Sequence, residues 1–245
     1  MNRLLDGLRT GAVALFLMVV LGACASTSGP GGAAGSQRAP SPADPLEPLN
    51  RGVYAFNDVF DEYLMRPVAV AYDKYVPDTV QFIVRNFLSN LYDPYIGLNN
   101  LLQGKPADAI SDVGRFLVNS TIGFLGFGDP ASEIGMQKHR EDFGQTLGVW
   151  GLPTGPYLVL PIFGPSDVRD GVGFGVDAWA GLINRFDNVP FRNSVAGLTV
   201  VQARAQLLST DGLLADALDR YLLVRDVYLQ RRRNLVYDGI LPEER

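Results

Sequence analysis

The chain has 245 residues, a formal net charge of −5, 47% hydrophobic residues, one cysteine and one histidine. So mild an acidic balance supplies no basic face for nucleic acid. A lone cysteine gives no disulfide framework, and one histidine beside it cannot assemble an ordinary zinc site.

The N-terminus reads MNRLLDGLRTGAVALFLMVVLGACAS. Arg3 and Arg9 form a basic start, and Gly11 to Leu21 is an apolar stretch below the ~20 residues that cross a bilayer. It ends in Leu21-Gly22-Ala23-Cys24, which resembles a bacterial lipobox, where the signal is cut before a cysteine that becomes acylated. The only cysteine therefore sits where lipidation requires it. Residues 1–23 are expected as a lipoprotein signal peptide. Residues 24–45, small and rich in Gly, Ser and Pro, are expected as a lipidated flexible tether. The folded domain is expected over 46–237, with 238–245 as a C-terminal tail. Ala25 rather than Asp after the cysteine is similar to Gram-negative lipoproteins sorted to the outer membrane.

The domain reads as mainly α. Val53, Phe56, Val59, Phe60, Tyr63 and Leu64 fall at helical spacing, and Arg66-Pro67 predicts an end or a kink. A short segment then runs to Pro77, and Asp78 reads as the N-cap of TVQFIVRNFLSNLY. Pro94 reads as opening YIGLNNLLQG, closed by Gly104, and Pro106 opens the next helix. TIGFLGFGDPA, residues 121–131, is apolar yet carries three glycines. GPYLVLPIFGPSD, from residue 155, is equally apolar yet broken by Pro156, Pro161 and Pro165. Loops of this composition are unexpected in water. Asp167 reads as a helix N-cap with Asp170 at N3. Gly171 and Gly175, with Ala178 and Gly181, predict a smooth helix face. The last segment, from Leu213, reads as one long helix or two. Its Arg231-Arg232-Arg233 run is a solvated basic turn or a headgroup contact.

Catalytic motifs are sparse. No Walker loop, dinucleotide fingerprint or nucleophile elbow occurs. Glu141-Asp142 and Asp167/Asp170 are the carboxylate pairs open to acid–base work. Each has a plainer account as a cap or a solvated turn.

DPLEPLNRGVYAFND, RPVAVAYDKYVP, NFLSNLYDP, FLVNSTIGFLGFGDPA, EDFGQTLGVWGLPTGPYLVLPIFGPSDVRDGVG and RAQLLSTDGLL together resemble the VacJ/MlaA lipoproteins. They occur in that family's order over about residues 44–230. The resemblance implies a single helical domain with few or no strands: a ring-like, membrane-embedded bundle with a central amphipathic channel. It implies no enzyme. The family removes mislocalised phospholipid from the outer leaflet of the outer membrane and passes it to a periplasmic carrier protein. That carrier serves an ATP-driven inner-membrane complex, and the family works beside a trimeric porin. The implied location is the periplasmic face of the outer membrane. No cofactor is implied beyond covalent lipid on Cys24, with phospholipid as cargo.

Phe124, Leu125, Phe127, Leu158, Leu160, Ile162 and Phe163 are the candidate lipid contacts, with core packing as the competing account of each. Two other functions stay open: an outer-membrane-anchored hydrolase using Glu141, Asp142 and His139, and a scaffold that positions a porin.

Overall fold

In the computed structural model, residues 41–240 are described; Cys24 and the signal peptide lie outside them. Helix α1 (Glu47–Phe60) runs through a π-helical turn (Asp61–Met65) directly into α2 (Arg66–Tyr75). Pro67 was expected to end or kink this helix. A proline ring crowds the carbonyl four residues back, and widening the preceding turn relieves that clash. The Arg66 amide accordingly reaches back five residues, to the Asp61 carbonyl.

Helix α3 (Asp78–Leu102) overturns two expectations. Pro77 occupies the N-cap and Asp78 is already helical, with no side-chain cap. Pro94 lies inside the helix rather than opening a new one. At that turn the Lys138 ammonium supplies an extra donor, to the Ser89 carbonyl at 3.2 Å and to the Asp93 carboxylate. Gly104 does close the helix. With φ +79° it lets its own amide reach Leu101 O (3.1 Å) and that of Lys105 reach Asn100 O (2.9 Å).

Helix α4 (Pro106–Thr121) folds back antiparallel on α3. The approach is close at Gly97, where a Cβ would lie 3.0 Å from the Ala109 carbonyl. The interface between them is largely polar. Asn100 donates to Asp112 (2.7 Å), His139 Nδ1 stands 3.0 Å from Asp112, and Asn90 donates to Ser120 (2.9 Å). At its end, Asp129 caps the short α5 (Pro130–Glu133) and accepts from Arg115 and Asn119.

Helix α6 (Phe143–Val149) is followed by a two-stranded antiparallel hairpin, β1 (Tyr157–Leu160) and β2 (Gly164–Asp167), with Leu160 opposite Gly164. β2 feeds α7 (Val168–Ala180), which Asp167 caps by accepting the Asp170 amide at 2.8 Å. Helices α6 and α7 cross at Gly144 and Gly173, where a Cβ on Gly173 would meet the Gly144 nitrogen at 2.5 Å. The expected smooth face at Gly171 and Gly175 is not the contact, since Gly175 has open space around its Cα. Helix α8 (Val189–Gln206) packs on α2, where Tyr72 donates to Gln202. The C-terminal segment resolves into α9 (Asp211–Ala215) and α10 (Arg220–Val236), the latter capped by Asp219.

The domain starts earlier than Leu46. Ala43 O accepts the Tyr157 amide, and the wholly buried Asp44 accepts from Asn50, Tyr221 and Arg225. Residues 43–45 therefore belong to the fold, not to the tether, because Asp44 is the acceptor for three donors.

Burial runs opposite to the usual pattern. Among the described residues, buried polar and charged side chains outnumber buried apolar ones. The buried apolar residues include two small clusters, Leu88–Leu91–Ile183–Val195 and Tyr157–Val159–Tyr221. Meanwhile Tyr63, Ile110, Ile122, Phe124, Trp179 and many other large apolar side chains are exposed. Apolar side chains scattered singly on a surface are ordinary, whereas contiguous patches of them mark contact sites.

Candidate functional site

The apolar loops are closed hydrogen-bonding units. Beyond α4 the chain reverses over residues 122–128. The amides of Leu125 and Gly126 return to Ser120 O (3.0 Å) and Asn119 O (2.8 Å), and Gly128 returns to Gly123 O (2.8 Å). Phe124 and Leu125 take φ of 52° and 60° there, and Ile162 takes 71° at the hairpin tip. Left-handed backbone costs an L-residue roughly 1–2 kcal/mol, and a β-branched one is an outlier. Glycine would relieve the strain, so large apolar side chains stand where glycine fits best.

Two amides of α1 close the outer edge of β1. Asn50 donates to Tyr157 O (2.9 Å) and accepts from Val159 N (3.0 Å). Asn57, seven residues on and so on the same helix face, donates to Leu160 O (2.9 Å) and accepts from Ile162 N (2.7 Å). Part of a strand edge otherwise left open is thereby bonded within the chain.

The seven candidate contacts divide in two. Phe124, Leu125, Ile162 and Phe163 project outward, at 73, 63, 55 and 64% exposure. Phe127 turns partly inward between Phe87 (5.7 Å between ring centroids) and Phe124 (6.0 Å), and Leu158 and Leu160 are half-buried on the β1 face opposite Tyr157 and Val159.

Behind the hairpin lies a cavity of about 540 Å³ with walls of both characters. Tyr92, Ile96, Phe163 and Leu235 give it apolar surface; Arg140, Glu141, Asp142, Asp177, Arg231 and Arg232 give it charge. Phe163 also packs on Phe174, 4.8 Å between centroids. Arg232 ties the walls together. Its guanidinium grips Asp142 of the α6 cap, with Nη2 at 2.9 Å, and pairs with Asp170 of α7. Burial raises the pKa of both carboxylates, but the hydrogen bonds and charge of Arg232 outweigh it and hold both below the usual range. Asp167 goes the other way, pushed up to about 6, by burial first and by the neighbouring Asp170 carboxylate. Tyr228 donates to Asp170 at 2.7 Å. Opposite, Asp177 accepts from Tyr95 and from the Phe143 amide (3.0 Å).

Glu141 and Asp142 are thus no solvated turn, and Arg232 no solvated basic residue. Each is drawn inward because an opposite charge on another element awaits it. The trio proposed for hydrolysis is not brought together. Glu141 holds Gln103 (2.9 Å) and Lys105 (3.4 Å), Asp142 holds Arg232, and His139 stands between Asp112 and Asp108 (3.6 Å). Tyr92, Tyr95 and Asp177 were missed by sequence reasoning. Their only signal is polar or aromatic character on otherwise apolar helices.

Residues 42–235 match the model of the MlaA lipoprotein family. The chain is 38% identical over 207 residues to the intermembrane phospholipid transport system lipoprotein MlaA of Escherichia coli (strain K12), covering 82% of each. It is 34% identical over 214 residues to the Haemophilus influenzae protein of the same name, again covering 82% of each. A solved structure described as the structural basis for maintenance of bacterial outer membrane lipid asymmetry superimposes with a TM-score of 0.71 at 34% identity. That match covers 79% of this chain and 98% of the other.

Proposed function

The chain belongs to the MlaA lipoprotein family, and from that premise we propose that it moves phospholipid out of the outer leaflet of the outer membrane and hands it to a soluble periplasmic carrier. The protein is a transport component of the system that maintains lipid asymmetry. The observation that carries the reading is the inverted burial. Polar side chains hold the interior together while large apolar ones face outward. That arrangement suits hydrocarbon, where an unsatisfied backbone or charged group is expensive and an apolar side chain is not. The 122–128 turn and the hairpin tip suit the same depth, since their irregular backbone is bonded within the chain.

In this reading Phe124, Leu125, Ile162 and Phe163 touch acyl chains, with Phe127, Leu158 and Leu160 packed behind them. The cavity offers a headgroup a polar route while its apolar wall follows the tails. Cys24 carries the acyl anchor and residues 25–40 span from it. The anchored domain sits at the periplasmic face beside a trimeric porin. Transfer needs no covalent step, so the engaged carboxylates have none to perform.

The test is deletion of the gene in its own host, with surface phospholipid measured by outer-leaflet labelling. Accumulation of phospholipid outside, reversed by the full-length protein, is expected. Unchanged lipid asymmetry and unchanged detergent resistance sink the proposal.

A further inference from the structure

We infer that Arg140 and Arg231 form a phosphodiester-binding pair inside the cavity, an inference that rests on the transport reading above. The cavity holds three arginines and three carboxylates, and each of the three carboxylates already has donors within the chain. Asp142 and Arg232 bind each other, Glu141 is held by Gln103 and Lys105, and Asp177 is held by Tyr95 and the Phe143 amide. Arg140 and Arg231 are the exceptions. Both line the cavity and both are exposed, and among the described residues neither has a carboxylate at ion-pair distance. Arg140 comes from the loop that leads to the α6 cap, and Arg231 from α10. Two unmatched guanidiniums beside Ile96, Phe163 and Leu235 fit an anion carried by a greasy body. A phosphodiester has the oxygens for the planar donor fork of arginine, and the shared chemistry is that of every glycerophospholipid headgroup. Arg232 is pre-committed to Asp142 and Asp170, so it shapes the wall rather than the ligand contact.

The measurement is fluorescence titration of the purified, lipidated full-length protein in detergent. The probes are an NBD-labelled phosphatidylethanolamine, an NBD-labelled diacylglycerol lacking the phosphate, and inorganic phosphate. In the Arg140→Gln/Arg231→Gln variant, affinity for the phospholipid falls at least about tenfold, while diacylglycerol binding stays as in the unmodified protein. Arg140→Lys and Arg231→Lys singly fall between the unmodified protein and the double variant, because lysine keeps the charge but not the planar donor fork. Arg85→Gln, at an arginine that lies over Phe82 outside the cavity, changes nothing. Melting temperatures accompany each titration, and exposed unpaired arginines predict no loss. Equal phospholipid affinity in the double variant overturns the pair. So does a wild-type site that binds inorganic phosphate more tightly than the phospholipid. If the unmodified protein binds neither lipid, the transport reading itself fails, a result distinct from failure of the arginines alone.

Discussion

The side chain of Asn57 accepts the backbone N–H of Ile162 at 2.7 Å, 105 residues further along the chain. The same amide donates to Leu160 O, so one side chain on α1 holds both sides of a strained, exposed, apolar hairpin tip. Asn57→Ala removes both bonds and is expected to destabilise the domain by about 1–3 kcal/mol. Hydrogen exchange at the Ile162 amide should accelerate before global unfolding. An unchanged urea midpoint with an unchanged exchange rate would remove the clamp from the account.

The tip itself separates strain from function. Ile162→Gly relieves a left-handed backbone and should raise the melting temperature slightly, as should Phe124→Gly. Both substitutions also delete apolar surface, so both should weaken co-sedimentation with phospholipid vesicles. Phe124→Asp should do so more strongly without unfolding the domain. Vesicle binding that survives all three substitutions would show that these tips do not touch lipid.

Gly173 and Gly175 make a matched pair for testing the helix crossing. Gly173→Ala drives a methyl into the α6 backbone at Gly144 and should destabilise by about 1–3 kcal/mol, the usual scale of overpacking. Gly175→Ala meets nothing and should stabilise by roughly 0.5–1 kcal/mol through helix propensity. Thermal melts of the two variants should move in opposite directions.

The carboxylates around Arg232 set the pH response. Asp142 and Asp170 have depressed pKa values, so the stability they contribute is present above about pH 4 and is lost as pH falls through their lower folded values. Asp167, raised to about 6, behaves oppositely. Its contribution is full below about pH 4 and is lost as pH rises through about 6. Asp167→Asn keeps a cap acceptor without the charge, so it should flatten the decline between about pH 4 and 6. Arg232→Gln should cost about 3–5 kcal/mol at neutral pH by stranding two buried charges. Urea midpoints measured from pH 3 to 7 read both effects.

Cys24→Ala should abolish incorporation of labelled palmitate and leave residues 1–23 attached, visible as a heavier chain by mass spectrometry. Retained label would place the acyl group elsewhere.

What the sequence made legible follows physical range. Asp167 and Gly104 could be read correctly because a cap and a left-handed turn are decided within four residues. Pro67 marked a real break, since a π turn ends one α-helix just before it and another begins at Arg66, whereas Pro94 misled because the helix runs on through it beside a donor, Lys138, that lies 44 residues along the chain. Gly173 was passed over for Gly171 and Gly175 because spacing along one helix cannot tell which glycine faces a neighbour. Arg231 and Arg232 look alike in sequence and part company in the fold. One faces the cavity, while the other is captured by Asp142, 90 residues away.

If the proposed acyl anchor holds the chain at a membrane, its copies meet far more often than the same number would in solution. A hairpin with a bare edge would then be a seed for strand-on-strand stacking. Asn50 and Asn57 occupy Tyr157 O, Val159 N and Leu160 O of β1 and the Ile162 amide beyond it. The pair that steadies the tip thus also takes up groups that an incoming strand would need.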